Sequence, residues 1–160
     1  MRKTIARMLL VAGLATGLGY SATARADHLM TKIPGSAGKA ADATQQACMY
    51  YTGAGISNAF CESTAVTMVI PGPLEMSVNQ VALQMTVWGS NPGGVQCRGI
   101  LVDGKTGALT SQTALASSTM TNHYETMFLG WLPTTVNSVV RFECTMQPGT
   151  SVLSASWFLG

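Results

Sequence analysis

The sequence predicts an exported, all-β domain: an antiparallel two-sheet β-sandwich of about eight strands, stapled by disulfides. Three observations carry this prediction. The chain opens with a secretory leader. Four cysteines follow, an even number. From Cys48 onward, short alternating apolar runs are separated by Gly- and Pro-containing turns, with no long amphipathic helix among them. A small β-barrel would satisfy the same pattern and is the alternative architecture.

The leader is read at residues 1–26. Arg2, Lys3 and Arg7 form a basic start, and an apolar stretch runs from Met8 to Tyr20, shorter than the roughly 20 residues that span a bilayer. Ala24-Arg25-Ala26 has the small residues signal peptidase needs, so Asp27 is the expected new N-terminus and the expected location is periplasmic or secreted. Cleavage removes Arg2, Lys3, Arg7 and Arg25, four of nine basic residues, and none of the seven acidic ones. The mature charge is then 5 − 7 = −2. Such a chain lacks the clustered cations that displace counterions from nucleic acid. No stable membrane insertion is expected once the leader is gone.

Residues 27–46 are small, polar and Gly-containing, and read as a flexible N-terminal arm, with a short helix through Ala40–Ala47 as its only regular element. Residues 47–160 form the sandwich domain. In an exported chain, Cys48, Cys61, Cys97 and Cys144 read as two bridges. Three connectivities exist; the preferred one joins Cys48 to Cys61 across a local hairpin and Cys97 to Cys144 between distant core strands. No cysteine or histidine spacing fits a metal site, and no cofactor is expected.

The strands follow in order. Thr67 to Ile70 is strand-like. Val81, Leu83, Met85 and Val87 alternate with polar residues up to Trp88, and Val95 to Val102 forms the next run. Leu109–Met120 is Ser/Thr-rich and reads as an edge strand or a long loop. Val140, Phe142, Cys144 and Met146 alternate clearly, as do Leu153, Ala155, Trp157 and Leu159, with Ser154 and Ser156 facing away. Pro71-Gly72-Pro73, Asn91-Pro92-Gly93-Gly94, Asp103-Gly104 and Pro148-Gly149 supply the turns, Asp103-Gly104 being the strongest hairpin signal.

Three short stretches resemble small exported β-proteins of Gram-negative bacteria, most of them without an assigned activity: Gly55-Ile56-Ser57-Asn58, Val95-Gln96-Cys97, and Phe142 through Gly149. The resemblance implies a fold and a compartment and no chemistry.

Candidate functional residues are few. His123, beside Tyr124 and Glu125, has the makings of a general base with an orienting carboxylate, but no nucleophile motif accompanies it. Asp103 in Asp-Gly-Lys-Thr-Gly is explained by turn chemistry, since a calcium loop needs further spaced acids. Trp88, on the polar side of its strand, and Trp131, ahead of a Pro-containing turn, are candidates for rings that stack on sugar. The ligand-binding candidates are therefore Trp88, His123, Tyr124 and Trp131. The leading functional expectation is a non-catalytic envelope or secreted module binding a surface, glycan or protein partner. A pilin-like subunit that donates its N-terminal arm as a strand, and a small hydrolase using His123, are the alternatives.

Overall fold

The computed structural model describes residues 30–59, 61–69, 79–135 and 137–159. The leader expected at 1–26 and the turn expected at Pro71-Gly72-Pro73 lie outside the described residues. Twelve strands are described: β1 (Met30–Pro34), β2 (Lys39–Ala40), β3 (Met49–Tyr51), β4 (Ile56–Asn58), β5 (Thr64–Val69), β6 (Gln80–Gly89), β7 (Val95–Asp103), β8 (Leu109–Gln112), β9 (Ala116–Ser117), β10 (His123–Pro133), β11 (Ser138–Met146) and β12 (Ser151–Leu159). They form two antiparallel sheets that do not close into a barrel. The first runs β10-β6-β12-β4-β3 with β1 also on β12, and the second β2-β5-β11-β7-β8 with β9 also on β7.

The alternating runs are the strands that the core requires. Val81, Leu83, Met85 and Val87 of β6 meet Val140, Phe142, Cys144 and Met146 of β11 between the sheets, all buried. The count exceeds the eight or so expected because β1 to β4 are short and carry little alternation. Residues 30–46 do not make the free arm that their composition predicts. β1 pairs along β12 from Pro34↔Ser154 to Met30↔Phe158, and β2 pairs with β5 in the other sheet. Helix is confined there to two 3-10 turns, Gly35–Ala37 and Ala43–Cys48, the second capped by the Asp42 side chain accepting from the Thr44 N–H at 2.9 Å. With β1 already a strand of its own sheet, the arm assigned to donation is occupied within the chain.

Leu109–Met120 resolves into two short edge strands, β8 and β9, both on β7. Asp103-Gly104 does open the β7–β8 hairpin, where Asp103 Oδ1 accepts from the backbone N–H of Lys105 and Thr106. Those bonds hold its carboxyl below the usual carboxylate range. The Pro148-Gly149 turn links β11 to β12 by crossing from one sheet to the other. Buried Asn58 braces that crossing: its side-chain N–H donates to the carbonyls of Met146 and Cys61, both at 2.9 Å.

Two bulges shift phase on the first sheet. In β12 the register slips between Val152 and Ser154, so Val152 takes the core position and Leu153 does not, contrary to the simple alternation of its sequence. In β10 it slips between Phe128 and Gly130; Gly130 has φ 129°, a conformation only glycine adopts readily. Both predicted bridges form. Cys48–Cys61 spans the β3–β4 hairpin, and Cys97–Cys144 joins β7 to β11 where the two residues stand directly opposite, 4.1 Å apart at Cα.

Candidate functional site: the outer face of the first sheet

The register places the outward side chains of the first sheet in transverse rows. Tyr124, Trp88, Ser151, Ser57 and Tyr50 make one row, and Thr126, Thr86, Ser154 and Pro34 the next. Phe128, Gln84, Ser156 and Lys32 make a third; Trp131, Ala82 and Phe158 a fourth. Successive rows lie about 7 Å apart, two residues along each strand.

Along the edge strand β10, this arrangement lines up three exposed rings. Tyr124 is 64%, Phe128 50% and Trp131 44% exposed. Trp131 meets Phe128 edge-on with ring centres 6.4 Å apart, and Phe158 edge-on at 5.3 Å. Inward of the rings, hydroxyls and an amide fill the central strands. Thr86 and Thr126 Oγ1 are 3.2 Å apart and Ser57 and Ser151 Oγ 2.7 Å apart, each pair sharing a hydrogen bond. A groove of about 650 Å³ crosses the face, lined by Tyr124, Thr86, Ser154, Leu153, Pro34, Lys32 and Ala54. Its volume is within the range of small-ligand sites.

Trp88, Tyr124 and Trp131 are thus brought to one face. His123 is not. Strand alternation turns it to the opposite side from Tyr124, at the exposed end of β10. Nor does Glu125 orient it: that carboxylate accepts from the Thr119 N–H at 2.7 Å, the Thr119 hydroxyl at 3.0 Å and the Met120 N–H at 3.3 Å. Burial opposes ionisation of Glu125, yet these bonds outweigh it and hold the carboxyl below its ordinary value.

Because the folded carboxyl titrates lower than the unfolded one, its contribution is complete above the unfolded pKa. It is lost as pH falls through the folded value. Protection of the Thr119 and Met120 amides, taken as exchange relative to the intrinsic rate at each pH, is therefore expected to fall as the pH drops below the ordinary glutamate range, and Glu125→Gln to remove that pH dependence. Protection that is unchanged on acidification would show that the carboxylate does not hold the β9–β10 connection.

Sequence reading missed Phe128, Phe158 and Lys32. Phe158 was visible as an aromatic in phase with Ser154 and Ser156. Phe128 shares the parity of Tyr124, but the bulge that follows breaks the repeat before Trp131. Lys32 sits in a segment with no strand signal.

The remaining described carboxylates are elsewhere. Asp42 caps a turn, Asp103 closes a hairpin, and Glu143 on the second sheet pairs Arg98 at 2.7 Å and Arg141 at 2.9 Å. Glu62 lies in the exposed connection after Cys61. Among the described residues, the groove face has no acid pair of the kind glycoside hydrolysis uses. Among the described residues there is no cluster of three metal-ligating side chains, and no helix is long and apolar enough to cross a membrane.

No family model matches the chain, and no curated protein matches it in sequence. Solved structures do match. The xylan-binding module CBM15 superposes with a TM-score of 0.56 at 12% identity, over 83% of this chain and 97% of that one. The likeness is one of fold. The insecticidal crystal protein Cry2Aa gives 0.50 at 13% identity, over 81% of this chain and 21% of its own. The GH26-CBM35 β-(1,4)-mannanase of Podospora anserina gives 0.49 at 10%, over 82% and 28%. The chain therefore spans under a third of the last two and nearly the whole of the first.

Proposed function

We propose that this chain is an exported, non-catalytic carbohydrate-binding module, and that the outer face of its first sheet holds a glycan chain. The observation that carries the reading is the line of exposed rings, Tyr124, Phe128 and Trp131, beside a groove floored by hydroxyls. Sugars present apolar C–H faces and a rim of hydroxyls, so a binding surface needs flat rings and short polar groups together. Surface rings usually stand singly; here they share one strand and one face. The likeness in fold to a xylan-binding module supports the same reading. Export is supported by the two disulfides, which persist in oxidising compartments.

The test is affinity electrophoresis on xylan, β-1,4-galactan, β-mannan and cellulose derivatives. Retention by at least one is expected. Tyr124→Ala and Trp131→Ala should each weaken binding about tenfold, or ~1.4 kcal/mol, and the double variant should lose retention. Both are exposed, so the unfolding midpoint should move little. Retention that survives the double variant, or no retention of the parent on any of these polymers or on charged polysaccharides, overturns the proposal. Export has its own readout: the N-terminus of protein recovered outside the cytoplasm should be Asp27, and recovery of an intact leader in the cytoplasm would count against it.

A further inference from the structure

Resting on that reading, we infer that the glycan is anionic, with Lys32 receiving a carboxylate or sulfate carried by the sugar chain. The acidic side chains among the described residues are Asp42, Glu62, Asp103, Glu125 and Glu143, and none of them stands on the groove face. Its rows contain Lys32 and no Asp or Glu. Arg98 and Arg141 satisfy Glu143 on the second sheet, whereas Lys32 lines the groove and makes no ion pair with any described residue.

The placement also says which part of a ligand meets the charge. Lys32 and Tyr124 stand on opposite walls of the groove, on β1 and β10, with β12 and β6 between them. Three strand spacings across and two rows along put Lys32 and Tyr124 about 20 Å apart at the backbone, wider than a single sugar ring. The sugar stacked on Tyr124 and the sugar bearing the charge are then different residues of one chain. A neutral chain would offer the ammonium only hydroxyls. An acidic substituent gives this exposed ammonium a full counter-charge, an attraction that added salt weakens.

The experiment compares anionic polymers with their neutral counterparts. Glucuronoxylan and polygalacturonate supply carboxylate, against their carboxyl-reduced forms; dextran sulfate supplies sulfate, against dextran. The parent should bind at least one anionic polymer fivefold or more tightly than its neutral counterpart, with the preference shrinking as salt is raised. Lys32→Ala should bring that ratio close to one, Lys32→Arg should keep it, and Lys105→Ala, in the distant β7–β8 turn, should leave it intact. The responding pair tells carboxylate from sulfate. Equal or better binding to neutral polymers, or a preference that survives Lys32→Ala, overturns the inference and leaves the glycan reading standing. Failure to bind any polymer of either kind, the neutral set above included, removes both.

Discussion

A chain carrying Cys97→Ala and Cys144→Ala is expected to unfold about 4 kcal/mol more easily than its parent. The bridge closes 47 residues of chain. In the unfolded state that closure removes conformational entropy that grows with the logarithm of loop length, which is the source of the figure. The Cys48–Cys61 bridge closes only 13 residues and should be worth about 3 kcal/mol by the same argument. Both residues of the longer bridge are buried between the sheets, so their loss also leaves unfilled volume in the core. Urea denaturation of the two double variants side by side measures the difference. A smaller loss for the 47-residue bridge than for the 13-residue one would show that loop closure is not what these bridges contribute.

Phe142→Ala should cost about 3–5 kcal/mol, the usual range for truncating a fully enclosed ring. Phe142 is 0% exposed at the middle of β11 and stands directly opposite Gly99 of β7. The first sheet fills the space above that glycine with Leu83, so closely that a Cβ on residue 99 would overlap the leucine methyl. Ring, missing side chain and leucine interlock across the two sheets, and the backbones around them are held by hydrogen bonds on both sides. Collapse into the vacated space is therefore restricted, which argues for the upper part of the range. The control is Trp131→Ala, which removes a larger ring from an exposed position and should change stability by less than about 1 kcal/mol. Thermal or urea unfolding of the two variants decides it; equal losses would mean that the face rings are core elements and not free to bind.

The parts of this fold that sequence revealed are those where one face of a strand is buried and the other wet. β6, β7, β11 and β12 fall into that class, and Val81 to Val87 or Val140 to Met146 could be assigned to the core without a structure. β10 was hidden for a physical reason. As an edge strand it carries rings on the solvent side, and the bulge at Leu129 moves Trp131 out of phase with Phe128, so no period of two survives across it. β1 and β2 were hidden because they hold position by backbone pairing, which composition does not report. The site was legible only in fragments. Trp88, Tyr124 and Trp131 stood out as aromatics in polar surroundings, yet nothing in a linear sequence indicates that Lys32, ninety-two positions before Tyr124, faces the same groove. His123 stood out for the wrong reason: it neighbours the site in sequence and is turned from it by the alternation of one strand.

The pairing of β1 with β12 has a consequence for how this domain can be joined to others. Met30 stands opposite Phe158, so the first and last described strands enter and leave at the same corner of the first sheet. A domain with adjacent ends can be inserted into a surface loop of a host, or have its ends joined and be reopened elsewhere, without redirecting its chain. A short linker ligating the two ends, with new termini cut in the exposed Gly104–Ala108 turn, should give a circular permutant that keeps both sheets. The shared corner lies beside the Trp131–Phe158 row, so a fusion partner would sit at one end of the groove and leave Tyr124 and Lys32 open to solvent.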